Sequence, residues 1–172
     1  MNWTELLTFE IEDMYKVTNG LLDLVDEDQL DWKPSTGQNW MTVGQLLMHL
    51  SDACGAPIKG FVTGDWGMPA EAEGTSAEDM LSPAEKLPTI DSVAETRRLL
   101  AEDRKLALDM LAQAGEERLA NDMVAAPWNP TEMLLGQRCL QMAYHLGAHK
   151  AQLFYYLKLQ GKPVHTGHLW GM

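Results

Sequence analysis

Apolar residues recur at spacings of three and four in four long segments, and no segment sustains the alternation of a strand. The first segment runs from about Trp3 to Val25, with Leu6, Leu7, Met14, Val17, Leu21, Leu22 and Val25 in phase. The second opens at Thr42, where Thr42 and Gln45 form a capping-box pair, and carries Val43, Leu46, Leu47, Leu50 and Cys54 towards Phe61. Pro57 is expected to kink it or end its regular part. The third opens at Ser92, with Glu95 as the second half of another capping box, and runs to a stop at Gly115. The fourth begins near Thr131, just after Pro130, and ends at Gly161 with Pro163 beyond.

The stretch between the second and third helices reads TGDWGMPAEAEGTSAEDMLSPAEKLP. At about 30 residues it far exceeds the usual helix–helix connection. SAEDML is a candidate short helix within it, and its length permits a crossover along a whole bundle. The pattern therefore predicts a single all-α domain over residues 1–172. Its architecture is an antiparallel-type four-helix bundle, running up, down, down, up, with the long crossover between helices two and three.

Helix four interrupts this pattern with polar chemistry. At heptad spacing it presents Leu135, Arg138, Met142, His145, His149, Gln152, Tyr156 and Leu159, a seam apolar at its ends and polar in its middle. A second stripe, Leu140–Leu146–Leu153–Leu157, is an ordinary core face, so a helix buried on two sides satisfies both. His145 and His149 lie one turn apart on one face, where two imidazoles can grip one divalent ion. The spacing is common by chance, and Leu146 rules out an H-E-x-x-H protease motif. A third histidine, His49, lies on helix two.

His49 falls about 10 Å into its helix, and the pair about 18–24 Å from the end of theirs, at 1.5 Å per residue. Antiparallel helices would bring these depths together. Three neutral imidazoles would leave coordination positions open, as a catalytic site requires. The competing reading is core-edge histidines with satisfied hydrogen bonds. Gln152 and Asp52 are candidates to orient a ring or a bound water, and Tyr156 a candidate proton donor. The duller roles are solvated surface residues and packing.

Composition narrows the function classes. The 25 acidic and 13 basic residues give a formal charge of -12, and no basic stripe exists to engage nucleic acid or an anionic membrane. Cys54 and Cys139 read as buried free thiols. The opening MNWTELLTFEIEDM places acids where a signal peptide needs a basic start, and no apolar run approaches the roughly 18 residues of a membrane span. A cytoplasmic protein is expected. Trp32, Trp40, Trp66 and Trp128 fall in loops or at helix ends, where they either cap the bundle or line an apolar substrate pocket. His165 and His168 read as part of a terminal tail.

Two segments carry a family resemblance. LDWKPSTGQNWMTVGQLLMHLSDA is similar to the tryptophan–proline loop and first histidine of the DinB-like, or YfiT-like, metalloenzymes. YHLGAHKAQLFYYLKLQGKPV resembles that family's H-x-x-x-H-x-x-Q and its leucine- and tyrosine-rich helix end. The order of one histidine, a long crossover and then the pair matches as well. The resemblance implies a homodimeric up-down-down-up bundle with a divalent metal held by His49, His145 and His149. Lys150 stands where the family more often shows arginine. Despite the family's name, DNA repair is not implied.

The first functional expectation is a divalent-metal-dependent enzyme, using Zn²⁺, Ni²⁺, Fe²⁺ or Mn²⁺. The resemblance implies a thiol-dependent S-transferase with a low-molecular-weight thiol as second cofactor; a metal-assisted hydrolase is the other form of this expectation. The second is a non-catalytic metal- or ligand-binding bundle dimer acting as a stress-associated sensor or interaction protein. Neither reading identifies the small-molecule substrate or catalytic residues beyond the ligands.

Overall fold

The computed structural model describes residues 2–67 and 82–172. SAEDML therefore lies outside the described residues. The chain is mostly helical, with one small two-stranded ribbon. Helix α1 spans Trp3–Leu21 and begins with a capping box in which the Asn2 side chain accepts from the Glu5 amide and Glu5 reaches back to Asn2. It ends sooner than its periodicity predicts, passing into a 3₁₀ turn over Leu22–Leu24.

The second helical segment is two helices, α2 (Val43–Leu50) and α3 (Gly55–Thr63). The Thr42–Gln45 box caps α2 as expected. The break falls at residues 51–54 rather than at Pro57, which sits in the first turn of α3, where its missing N–H costs no helical bond. Helix α4 covers Val93–Asn121. Ser92 Oγ accepts from the Glu95 amide, but the Glu95 carboxylate turns to Arg98, so only half of that box forms. Gly115 adopts the predicted left-handed break (φ 68°), yet the chain re-enters a helix for another turn and a half.

Residues 123–134 are not the start of a helix. Strands β1 (Met123–Ala126) and β2 (Asn129–Leu134) form an antiparallel hairpin, pairing Met123 with Leu134 and Val124 with Met133. Helix α5 accordingly starts at Leu135, not near Thr131, and runs to Leu159. The short, mostly exposed strands bury too little to leave an alternating signature. The predicted terminal tail is ordered as well. Helix α6 (Thr166–Trp170) is capped by His165, whose Nδ1 accepts from the Gly167 amide.

Pairwise contacts set the helix directions. The amides of Trp3 and Thr4 donate to Glu116, and Arg97 donates to Asn19 and Asp23, so α1 and α4 are antiparallel. Gly136 lies against Trp3 and Gly147 against Met14, so α1 and α5 are parallel. Met41 meets Tyr156 and Phe61 meets Arg138, so α2–α3 runs antiparallel to α5. Asp103 meets the start of α3 and Arg118 its end, so α3 runs with α4. By Ile90 the chain has returned to the start of α2, where the Ile90 amide donates to the Gly44 carbonyl.

Leu7, Ile11, Leu46, Leu47, Leu50, Leu111, Leu146 and Leu153 fill the space between these helices. Burying each such side chain contributes about 1.5–3 kcal/mol. Both faces of α5 are used: Leu146, Leu153 and Leu157 are buried on one side, Arg138 and Tyr156 on the other. Cys54 and Cys139 are buried and free, as expected.

Candidate metal centre

His49 is carried by the last turn of α2, and His145 and His149 by consecutive turns of α5. The antiparallel pairing of these helices brings the three rings together. His145 Nε2 lies 3.1 Å from His149 Nε2 and 3.2 Å from His49 Nε2. The three rings are the one group of histidine, cysteine or carboxylate ligands among the described residues able to hold a metal ion.

The other ring nitrogens fix the tautomers of the pair. His145 Nδ1 is 3.0 Å from the carbonyl oxygen of Ala53, an acceptor only, so it carries the proton. His149 Nδ1 is 3.0 Å from Gln152 Oε1. The Gln152 amide is oriented by its own Nε2, which donates to the Tyr156 hydroxyl at 3.1 Å, and that hydroxyl donates to the Met41 carbonyl. Both Nε2 atoms of the pair are therefore bare lone pairs facing each other.

At most one proton, on His49 Nε2, is available to serve them. A cation bound to all three nitrogens removes the conflict, since separations near 3.1 Å suit two ligands of one ion at about 2.0–2.1 Å each. Gln152 and the Ala53 carbonyl hold the ligand rings from behind, as partners of metal-bound histidines do. The donor set fits a divalent first-row ion.

Electrostatics point the same way. Burial, reinforced by the neighbouring His149 and His145, lowers the His49 pKa to about 4. Burial lowers that of His149 too, against the hydrogen bond it donates to Gln152. These rings are held neutral, the form that ligates metal. All three remain partly exposed, which leaves an approach for solvent or a small molecule.

The other sequence candidates divide. Gln152 takes the orienting role. Asp52 does not bond His49 directly, its Oδ1 standing 3.9 Å from Nδ1. Tyr156 is buried and spends its hydroxyl on Met41 and Gln152. Trp32 and Trp40 pack edge-on against Tyr156, so the tryptophan–proline loop rests on the same network. Trp66 and Trp128 pack with Phe61 at the far end of α3, as end caps. Lys150 is buried and donates to the Leu169 carbonyl, tying α6 to α5. His165 and His168 serve the α6 cap and stand apart from the metal group.

Sequence reasoning missed Asp103. It is buried in α4 and accepts hydrogen bonds from the Tyr15 hydroxyl and the amides of Cys54, Gly55 and Ala56. Burial raises its pKa while these four donors pull it back. The signal was present as an acid within the stripe Thr96, Leu100, Asp103, Ala107, Leu111.

A helical fold with a three-histidine group between its second and fifth helices defines the class of protein. The sequence profile of the DinB superfamily matches residues 10–153, and the chain belongs to that superfamily. A crystal structure from Exiguobacterium sibiricum 255-15, described as of a DinB family member, is similar over 98% of each chain at 20% identity, with a TM-score of 0.65. At that identity the likeness speaks for the fold alone. No curated protein matches the chain.

Proposed function

We propose that this protein is a divalent-metal-dependent enzyme in which His49, His145 and His149 are the ligands. The observation that carries the reading is the pair of bare Nε2 atoms 3.1 Å apart, each fixed in that state by an acceptor behind its ring. Zn²⁺, Ni²⁺, Fe²⁺ and Mn²⁺ all accept such a donor set. When bound, the ion supplies Lewis acidity that lowers the pKa of a coordinated water or thiol. The chain's own part is to hold the imidazoles oriented and partly open to solvent.

Within this reading the reaction is an S-transfer using a low-molecular-weight thiol, or a hydrolysis. Among the described residues no carboxylate joins the three rings in one ligand group, which favours a nucleophile activated by the ion itself. The same reading takes α1, α2–α3, α4 and α5 as an up-down-down-up four-helix bundle, supported by the pairwise directions of these helices. Exposed Tyr144, Tyr155 and Leu159 on α5 offer apolar surface to a second copy in a homodimer.

The test is the metal content of untagged protein, by mass spectrometry, beside a His145→Ala/His149→Ala double variant. Near-stoichiometric metal that is lost in the variant is the expected result. Wild-type protein that takes up none of the four ions, Fe²⁺ being offered without oxygen, would overturn the proposal.

A further inference from the structure

The break between α2 and α3 places one peptide unit between Asp103 and His145. Its carbonyl is that of Ala53, which accepts from His145 Nδ1 at 3.0 Å. Its N–H is that of Cys54, which donates to Asp103 Oδ2 at 3.3 Å. The C=O and N–H of a trans peptide point in opposite directions, so Asp103 and the imidazole hold this unit from its two sides. The next two amides are bound to the same carboxylate: Gly55 at 2.9 Å to Oδ2 and Ala56 at 2.8 Å to Oδ1. Tyr15 closes the cluster with its hydroxyl 2.6 Å from Oδ2.

Of the two polar groups of the Ala53–Cys54 peptide, the N–H is held by Asp103 and the C=O by His145. Residues 51–54 lie between two helices, and Cys54 at the start of α3 makes no side-chain capping bond. A carbonyl whose own N–H is bound to a carboxylate is also polarised into a stronger acceptor. Access to this geometry depends on Gly55, since a Cβ there would lie 2.1 Å from the Asp103 carbonyl oxygen.

We propose that Asp103 is a positioning residue for the metal centre, setting the tautomer and direction of His145 through the Ala53–Cys54 peptide. It touches neither ligand nor metal. The proposal rests on the metal reading above for its consequence, but its geometry stands without a metal.

The test uses Asp103→Asn, which keeps the shape and removes the charge and one acceptor oxygen. Histidine-labelled, metal-free protein is observed by long-range ¹H–¹⁵N correlation, which separates the Nδ1–H and Nε2–H tautomers, and Co²⁺ affinity is measured by competition. In the wild type both His145 and His149 are expected as Nδ1–H. In Asp103→Asn, His145 becomes a mixture while His149, held separately by Gln152, does not change, and Co²⁺ affinity falls at least about tenfold.

An unchanged His145 tautomer, or equal disturbance of His145 and His149, would overturn the proposal. If Asp103→Asn does not fold, Tyr15→Phe removes one bond to the same carboxylate and is read by the same two signals. A smaller change confined to His145 supports the proposal, and no change or a shared one overturns it. If wild-type protein binds neither Co²⁺ nor any of the four ions named above, the metal reading fails, while the tautomers still decide whether Asp103 positions His145.

Discussion

The clustered imidazoles give the metal-free protein a specific weakness in acid. His49 is neutral in the fold down to about pH 4, whereas an imidazole in the unfolded chain takes up a proton below 6.5. The unfolded state therefore binds more protons in that window. The stability that neutral His49 contributes is whole above about pH 6.5, is lost between 6.5 and about 4, and falls no further below that. The full drop corresponds to about 3 kcal/mol at 1.36 kcal/mol per pH unit. The side chain is 32% exposed, and solvent screening lowers the expectation to about 1–2 kcal/mol.

The perturbation is His49→Gln, which removes the titrating ring and leaves a polar side chain. Urea unfolding with a chelator present is run at about pH 7 and about pH 4.5 for both proteins, so the titration of surface carboxylates is common to the two. The wild type should lose about 1–2 kcal/mol more than the variant over that interval. Equal losses would show that His49 is not held neutral, and the electrostatic part of the site's description would fall with it.

Two further outcomes are expected. Gln152→Leu leaves the His149 Nδ1–H without its acceptor, and metal affinity measured by competition titration should drop about 10–100-fold, with the secondary structure unchanged in circular dichroism. Gly55→Ala forces a methyl group to within 2.1 Å of the Asp103 carbonyl oxygen, and thermal unfolding should show a loss of about 2 kcal/mol or more.

Much of the scaffold is legible in the sequence because its signals are local or strongly periodic. The Thr42–Gln45 cap, the Leu146–Leu153–Leu157 stripe and the His145–His149 spacing each depend on residues within one helix. The approach of His49 is only permitted by helix depth, and it is the antiparallel packing of α2 and α5 that brings it about. What escapes is set by tertiary contact. The hairpin over 123–134 is too short and too exposed to alternate visibly. The break at 51–54, rather than at Pro57, is held by Asp103 from another helix, 47 to 49 residues away in sequence. Gly115 signals a stop, and the chain takes a positive φ there, but Glu116 just beyond it binds the amides of Trp3 and Thr4 and belongs to a helix that continues. Lys150 ties α6 to α5 through the Leu169 carbonyl, a contact no local pattern announces.

The three proposed ligands are made at very different times during biosynthesis. His49 and His145 are 96 residues apart, with His149 one turn later. At about 5–20 residues per second, a ribosome delivers the pair about 5–20 s after the lone imidazole. During that interval a single neutral ring offers an ion no chelate. On the proposed metal reading, an ion would be taken up only by a chain whose α5 has been made and has docked, so which metal enters would depend on the supply at that moment and not on any earlier, half-built site.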